Sequence, residues 1–253
     1  MKTVTTMDNN EHLGKITKKL LSFGDRIDPA VLFPTLHPEA GEFAIKNPYA
    51  LALAISLDRG TKADIIWTIP YDLYQSLGHL DPEKINQLSL EELESIFSEL
   101  PRKPRYVNDA PRTVKELTRL VVKEFGGDAS RMWEGKSASV VKNSFQSVYG
   151  VGPGIANMSV LLIEKAYRIR FSDLDRKGMD IKADVHTMRV LYRLGASDHM
   201  SESAAVDAAR KMHPDYPGEI DAPLWVIGRR WCHAQDPDCQ NCPMDSLCPK
   251  VGV

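Results

Sequence analysis

All four cysteines of the 253-residue chain lie in one stretch, CHAQDPDCQNCPMDSLC, between Cys232 and Cys248. The spacing C-x6-C-x2-C-x5-C over Cys232, Cys239, Cys242 and Cys248, with Pro237, Pro243 and Pro249 stiffening the loops, lets four thiolates surround one metal centre. Zinc sites commonly pair two short C-x2-4-C knuckles, and here only Cys239 and Cys242 form one. Gaps of six and five residues suit a larger object reached from several sides, a four-iron four-sulfur cluster. A zinc clip and four unlinked thiols are the alternatives.

The rest of the chain sets the frame for such a site. With 43% apolar and 26% charged residues it has the composition of a soluble globular protein, and no apolar run approaches the roughly 20 residues of a membrane span. The start, MKTVTTMDNNEHLGKITKKLL, lacks the apolar core of a secretory signal. A cytoplasmic, reducing setting is therefore expected, where clustered cysteines serve as metal ligands more often than as disulfides. A net charge of −2 does not announce a nucleic-acid partner. Residues 101–150 are locally basic, ten Lys and Arg against five Asp and Glu, a pattern that a solvated helix face also gives.

The elements that must position the cysteines read as helices almost throughout. A first helix is expected over Glu11–Phe23, and the apolar run YALALAISL after Asn47-Pro48 reads as a buried helix. Ser89 with Glu92 forms a capping box opening LEELESIFSEL, which Pro101 and Pro104 close. Val114, Leu117, Leu120, Val121 and Phe125 mark one face of a helix ended by Gly126-Gly127. Ser137–Val148 and Ile155–Tyr167 flank a tight GVGPG link, and Ser201–Met212 and Leu224–Trp231 complete the set. Alternating strands are nearly absent, so the fold class is all-α.

Two further stretches precede the cysteines: VYGVGPGIANM (Val148–Met158) and KADVHTMRV (Lys182–Val190). In this order, and with YALALAISLDRGTKAD ahead of them, the motifs resemble the helix-hairpin-helix DNA glycosylase superfamily in its endonuclease III and adenine glycosylase branch, over roughly residues 45–250. The resemblance implies two helical lobes with a DNA-binding cleft between them. An N-terminal segment over 1–44 packs with the C-terminal lobe, a helical barrel with the hairpin spans 45–165, and the C-terminal lobe over 166–253 carries a 4Fe-4S cluster on Cys232, Cys239, Cys242 and Cys248. The partner implied is double-stranded DNA containing a damaged or modified base, met by a monomer acting in base excision repair.

In a helix, GxG turn, helix arrangement the glycines permit positive φ and clear side chains from an approaching ligand, while the second helix aims its free N–H groups at the turn. The expected phosphate contacts are Gly150, Val151, Gly152 and Gly154; Pro153 has no N–H to give. A plain interhelical turn is what GVG alone would mean.

The resemblance places the catalytic carboxylate at Asp184. Breaking an N-glycosidic bond puts positive charge on the sugar, and a fixed carboxylate beside that carbon stabilises it. An Asp just before a helix is also an N-cap, and Asp184 can be both. His186 and Arg189 support the local fold or contact DNA. Bifunctional relatives carry a lysine two residues after the second hairpin glycine, where its amine forms a Schiff base. Here that position is Gly154, which implies a monofunctional enzyme and leaves room beside the target sugar for a bulky base; Lys182 is the other amine near Asp184. The gap left by a flipped base is filled from two loops, here Leu57–Thr61 and Arg105–Asn108. Asp58 stands where relatives often have an amide, so Arg59 or Tyr106, next to Arg105, takes the inserting role. Between the first two cysteines, Asp236 and Asp238 replace the basic residues common in relatives. The cluster is then expected to order a DNA-facing layer, with Arg229 and Arg230 as the nearby cations. The competing readings are a catalytically silent iron-sulfur protein that binds DNA or senses damage, and a zinc-held helical interaction module.

Overall fold

The structure is a computed structural model that describes residues 6–253. Residues 1–5 of the expected N-terminal segment lie outside the described residues. Every regular element among the described residues is helical. In chain order the α-helices are α1 (Thr6–Gly24), α2 (Pro29–Leu32), α3 (Pro38–Lys46), α4 (Pro48–Leu57), α5 (Ala63–Leu77), α6 (Pro82–Gln87) and α7 (Leu90–Glu99). They continue with α8 (Ala110–Phe125), α9 (Ala138–Gln146), α10 (Pro153–Tyr167), α11 (Val185–Arg193), α12 (Glu202–Met212) and α13 (Asp221–Arg230). The chain divides into two compact units, one over Pro29–Leu174 and one joining the N-terminal stretch through Asp28 to Asp175–Val253.

The Pro29–Leu174 unit is built around α4. Asn47 caps it, its side chain accepting from the N–H of Tyr49 and Ala50, and Pro48 occupies the first helical position, where no N–H is missed. Tyr49 through Leu57 are all buried, so the run has no polar face to show, as expected of a helix surrounded by others. It packs against α3, α5 and α8. Each fully buried Leu or Ile there contributes roughly 1.5–3 kcal/mol. α8 puts Val114, Leu117 and Val121 inward and ends at Gly126, whose φ of 63° gives the left-handed cap that the double glycine suggests. The capping box of Ser89 and Glu92 is present at the head of α7. Four helices that the patterning does not announce are the short α2, α3, α6, which Asp81 caps, and α5, whose Pro70 sits inside the helix and disguises it. The hairpin helices α9 and α10 pack against one another across the GVGPG turn.

In the other unit α13 packs on α11 and on α1, and α12 closes the group. Its core contains Ile16, Leu20, Val190, Leu191, Ala205, Leu224, Ile227 and Met244, with the cysteine segment against it. α13 begins at Asp221, three residues ahead of the apolar stretch, because Pro223 fits the first turn of a helix. Gly228 is the contact point between α13 and α11: a Cβ there would stand 2.7 Å from that of His186.

Candidate active site

Asp184 is the N-cap of α11. Its Oδ1 accepts the N–H of His186 at 2.8 Å and that of Thr187 at 3.0 Å. Thr187 Oγ1 returns the contact by accepting the N–H of Asp184 at 3.0 Å, and also donates to the Lys182 carbonyl at 3.0 Å. This reciprocal cap fixes the Asp184 backbone and one carboxylate oxygen. Oδ2 has no hydrogen-bond partner among the described residues, and the side chain is only half-buried. Capping thus occupies one oxygen of the carboxylate and leaves the other outside the cap. The next residue, Val185, is 63% exposed.

The helix that Asp184 opens is fastened along its length to the cysteine segment. Arg189 Nε donates to the Cys232 carbonyl at 2.7 Å, Nη1 to Val185 O at 3.0 Å and Nη2 to Gly228 O at 3.0 Å. His186 Nδ1 lies 3.1 Å from Arg189 Nη2, and its ring meets Trp225 edge-on. Arginine can only donate, so Nδ1 accepts and the imidazole is neutral; burial, with Arg189 and Arg229 nearby, lowers its pKa against the opposing pull of Asp184. Both residues are thereby engaged in joining α11 to α13 and to Cys232. Four residues beyond Arg189, the buried Arg193 extends the same face. It donates to His233 O at 2.6 Å, Ala234 O at 3.2 Å and Cys232 Sγ at 3.4 Å, while its carbonyl faces Cys248 Sγ at 3.3 Å. Arg193 escapes a motif reading, although its i, i+4 relation to Arg189 is visible in the sequence.

The four thiols of Cys232, Cys239, Cys242 and Cys248 line a single cavity of about 30 Å³, together with Arg193, Trp231 and Lys250. Burial pushes the Cys242 thiol up to about 11, and the three neighbouring sulfurs add to the shift; Cys248 is raised for the same reasons. Four thiolates cannot share this space without positive charge between them. Among the described residues no three His, Cys, Asp or Glu side chains converge as they would around one ion. Asp238 faces the Asn241 side chain at 3.0 Å and Asp236 sits in the left-handed region with φ 46°.

In the Pro29–Leu174 unit the residues singled out by sequence come together around the hairpin turn. Gly150 has φ 80°, and a Cβ on it would stand 1.4 Å from Arg59 Nη1, so only glycine lets the guanidinium rest there. Arg59 Nη2 donates to Thr113 Oγ1 at 3.0 Å, and the cation lies 5.7 Å from the Tyr106 ring. Tyr106 is 44% exposed, its edge over Gly60. The Arg105 N–H donates to Thr61 Oγ1 at 2.6 Å, which joins the two loops, and its side chain is exposed.

The turn itself is held by α8. Tyr149 donates its N–H to Glu116 at 3.0 Å and its hydroxyl to Asp109 at 2.9 Å, and its carbonyl accepts from Thr113 at 3.0 Å. Nothing in the sequence marks this three-point grip. Val151 is buried and its N–H is used on the Val148 carbonyl at 3.1 Å, which takes it out of the expected set of phosphate donors. Gly152, the N-cap of α10, and Gly154 in its first turn have open space where a Cβ would be. First-turn N–H groups have no acceptor within their own helix, so these two face outward available for a ligand.

No family model matches the chain. It is 25% identical over 219 residues to endonuclease III of Bacillus subtilis (strain 168), covering 86% of each protein. A solved structure described as a trapped endonuclease III–DNA covalent intermediate, an estranged-adenine complex, superposes with a TM-score of 0.55 at 20% identity over 98% of this chain and 97% of that one. The structure of a thermostable thymine-DNA glycosylase gives a TM-score of 0.54 at 18% identity over 96% of this chain and 97% of that one. The solved structures share the fold.

Proposed function

We propose that the chain is a member of the helix-hairpin-helix DNA glycosylase superfamily and a monofunctional DNA glycosylase removing a damaged or modified base from duplex DNA. The observation that carries the reading is Asp184, with Oδ1 tied into the α11 cap and Oδ2 without a partner. As the bond from C1′ to the base breaks, the electron pair leaves with the base and positive charge builds on the sugar, where a carboxylate fixed by its own helix stabilises it without reorganising. Water then adds at C1′ and gives up its proton, leaving an abasic sugar. Gly154 supplies no amine, so the strand stays intact. The Gly152 and Gly154 N–H groups hold a backbone phosphate at the N-terminus of α10, with Arg59, Arg105 and Tyr106 as the neighbouring contacts.

The same reading assigns a 4Fe-4S cluster to Cys232, Cys239, Cys242 and Cys248. Four thiols lining one cavity, and the C-x6-C-x2-C-x5-C spacing of their sequence with its single short knuckle, support the larger group over zinc. When bound, the cluster supplies positive charge that binds the thiolates into one body; no step of the reaction runs through it. Arg189 and Arg193 then connect that body to the helix that carries Asp184.

The test is a panel of duplexes bearing different damaged or modified bases, treated with alkali to cut abasic sites. Wild type is expected to yield alkali-dependent cleavage on at least one duplex and Asp184→Asn none. Borohydride on an abasic duplex is expected to trap no adduct. A wild-type adduct lost in Lys182→Ala would overturn the monofunctional assignment. A catalytically silent DNA binder would leave the whole panel uncut.

A further inference from the structure

The geometry points to Asp221 as a second working carboxylate: it positions the segment that ends in Asp184 and adds its charge to the field that Asp184 presents to the sugar. This rests on the glycosylase reading above. Asp221 opens α13, and its Oδ1 accepts the N–H of Lys182 at 2.8 Å. The Lys182 carbonyl accepts the N–H of Asp184 at 2.9 Å and the Thr187 hydroxyl at 3.0 Å. The lead-in to Asp184 is therefore held on both sides of Lys182, its N–H by Asp221 and its carbonyl by the α11 cap.

The surroundings show that Asp221 does more than hold an N–H. Protein encloses it on most sides, although part of its surface remains open to solvent. Burial pushes its carboxyl up to about 7, the Lys182 N–H pulls down, and the charge of Asp184 pushes up again. The charged groups facing it are Asp184 and Lys182 from the lead-in to α11. From α1, Gly24 packs on Pro223, and Glu219 in the preceding turn is paired with His213 at 2.8 Å. An asparagine would accept the same N–H with no charge to desolvate. A titratable group set where ionisation is disfavoured, next to the candidate catalytic group, is the pattern of a functional carboxylate. Above about 7 Asp221 is ionised, and the negative charge offered to a sugar cation rises.

The experiment needs no knowledge of the excised base. The full-length protein is titrated against a duplex holding one pyrrolidine abasic analogue, whose ring is cationic, and against the neutral tetrahydrofuran counterpart, between about pH 6 and about pH 8. Wild type is expected to increase its preference for the cationic duplex roughly tenfold across that range, the Coulombic effect of one added charge at short distance in a partly screened site. Asp221→Asn, which keeps the acceptor, is expected to lose the rise; Asp221→Glu, which keeps the charge, is expected to retain it. An Asp221→Asn profile that superimposes on wild type overturns the inference while a lost preference in Asp184→Asn leaves the glycosylase reading standing. A wild type with no cationic preference, unchanged in Asp184→Asn, overturns both.

Discussion

At the scale of single residues, the site separates what holds a carboxylate from what the carboxylate does. Asp184→Asn keeps an oxygen to accept from His186 and Thr187. It is expected to lower excision about 10²- to 10³-fold with little change in thermal midpoint, whereas Asp184→Ala also loses the cap, at about 1 kcal/mol. Activity and thermal melting of the two variants, compared side by side, check this. Asp221 gives a pH-dependent stability of definite sign. Its folded pKa, about 7, lies above its ordinary value, so the folded state holds the extra proton: its stabilising contribution is complete below about 3.8 and is lost as pH rises through about 7. Asp221→Asn is therefore expected to raise the melting temperature at neutral and alkaline pH and to leave it nearly unchanged in acid. Gly154→Lys tests the missing amine directly. Since a Cβ at 154 meets nothing within 4 Å, the variant is expected to fold and to gain a borohydride-trapped adduct on abasic DNA that wild type lacks.

At the scale of elements, the turn and its supports behave as one piece. Gly150→Ala places a methyl group on the Arg59 guanidinium at a backbone conformation costing about 1–2 kcal/mol for any L-residue. It is expected to destabilise the protein and weaken duplex binding, and pairing it with Arg59→Ala is expected to cost less than the sum of the two changes, as a double-mutant cycle would show. In α11, Arg193→Met leaves the His233 and Ala234 carbonyls without their donor, a loss of about 2 kcal/mol or more. Reduced absorbance near about 400 nm per protein would report the weakened cysteine loop. What the sequence makes legible here is local. The Ser89 and Glu92 box, the Gly126 terminator and the Asp184 cap each depend on residues within a turn or two of one another. The Tyr149 grip and the Arg193 clasp join residues 33 to 41 positions apart, and no periodicity of one helix encodes such a meeting.

At the scale of the molecule, the fold class follows from patterning because helices announce their own period, while α5 stays hidden behind its internal proline. The functional reading relies on the order of three motifs, whereas Arg189 looks like a DNA contact in sequence and in the structure spends its donors inside the protein. On the proposed reading, a protein of net charge −2 and pI near 6.4 that held DNA partly through backbone N–H groups would release few counterions. The slope of log affinity against log salt is expected to be about −3 or shallower, measurable by fluorescence anisotropy on one duplex.

On the proposed reading, the double duty of Asp184, with Oδ1 in the cap and Oδ2 toward the sugar, is expected to set a temperature ceiling on catalysis. Fraying of the first α11 turn frees the whole carboxylate to rotate, so heating is expected to silence the proposed activity through a local event before the cores of the two units give way. The inactivation curve then runs ahead of the melting curve, and the lag between them reads out how firmly one helix end is closed.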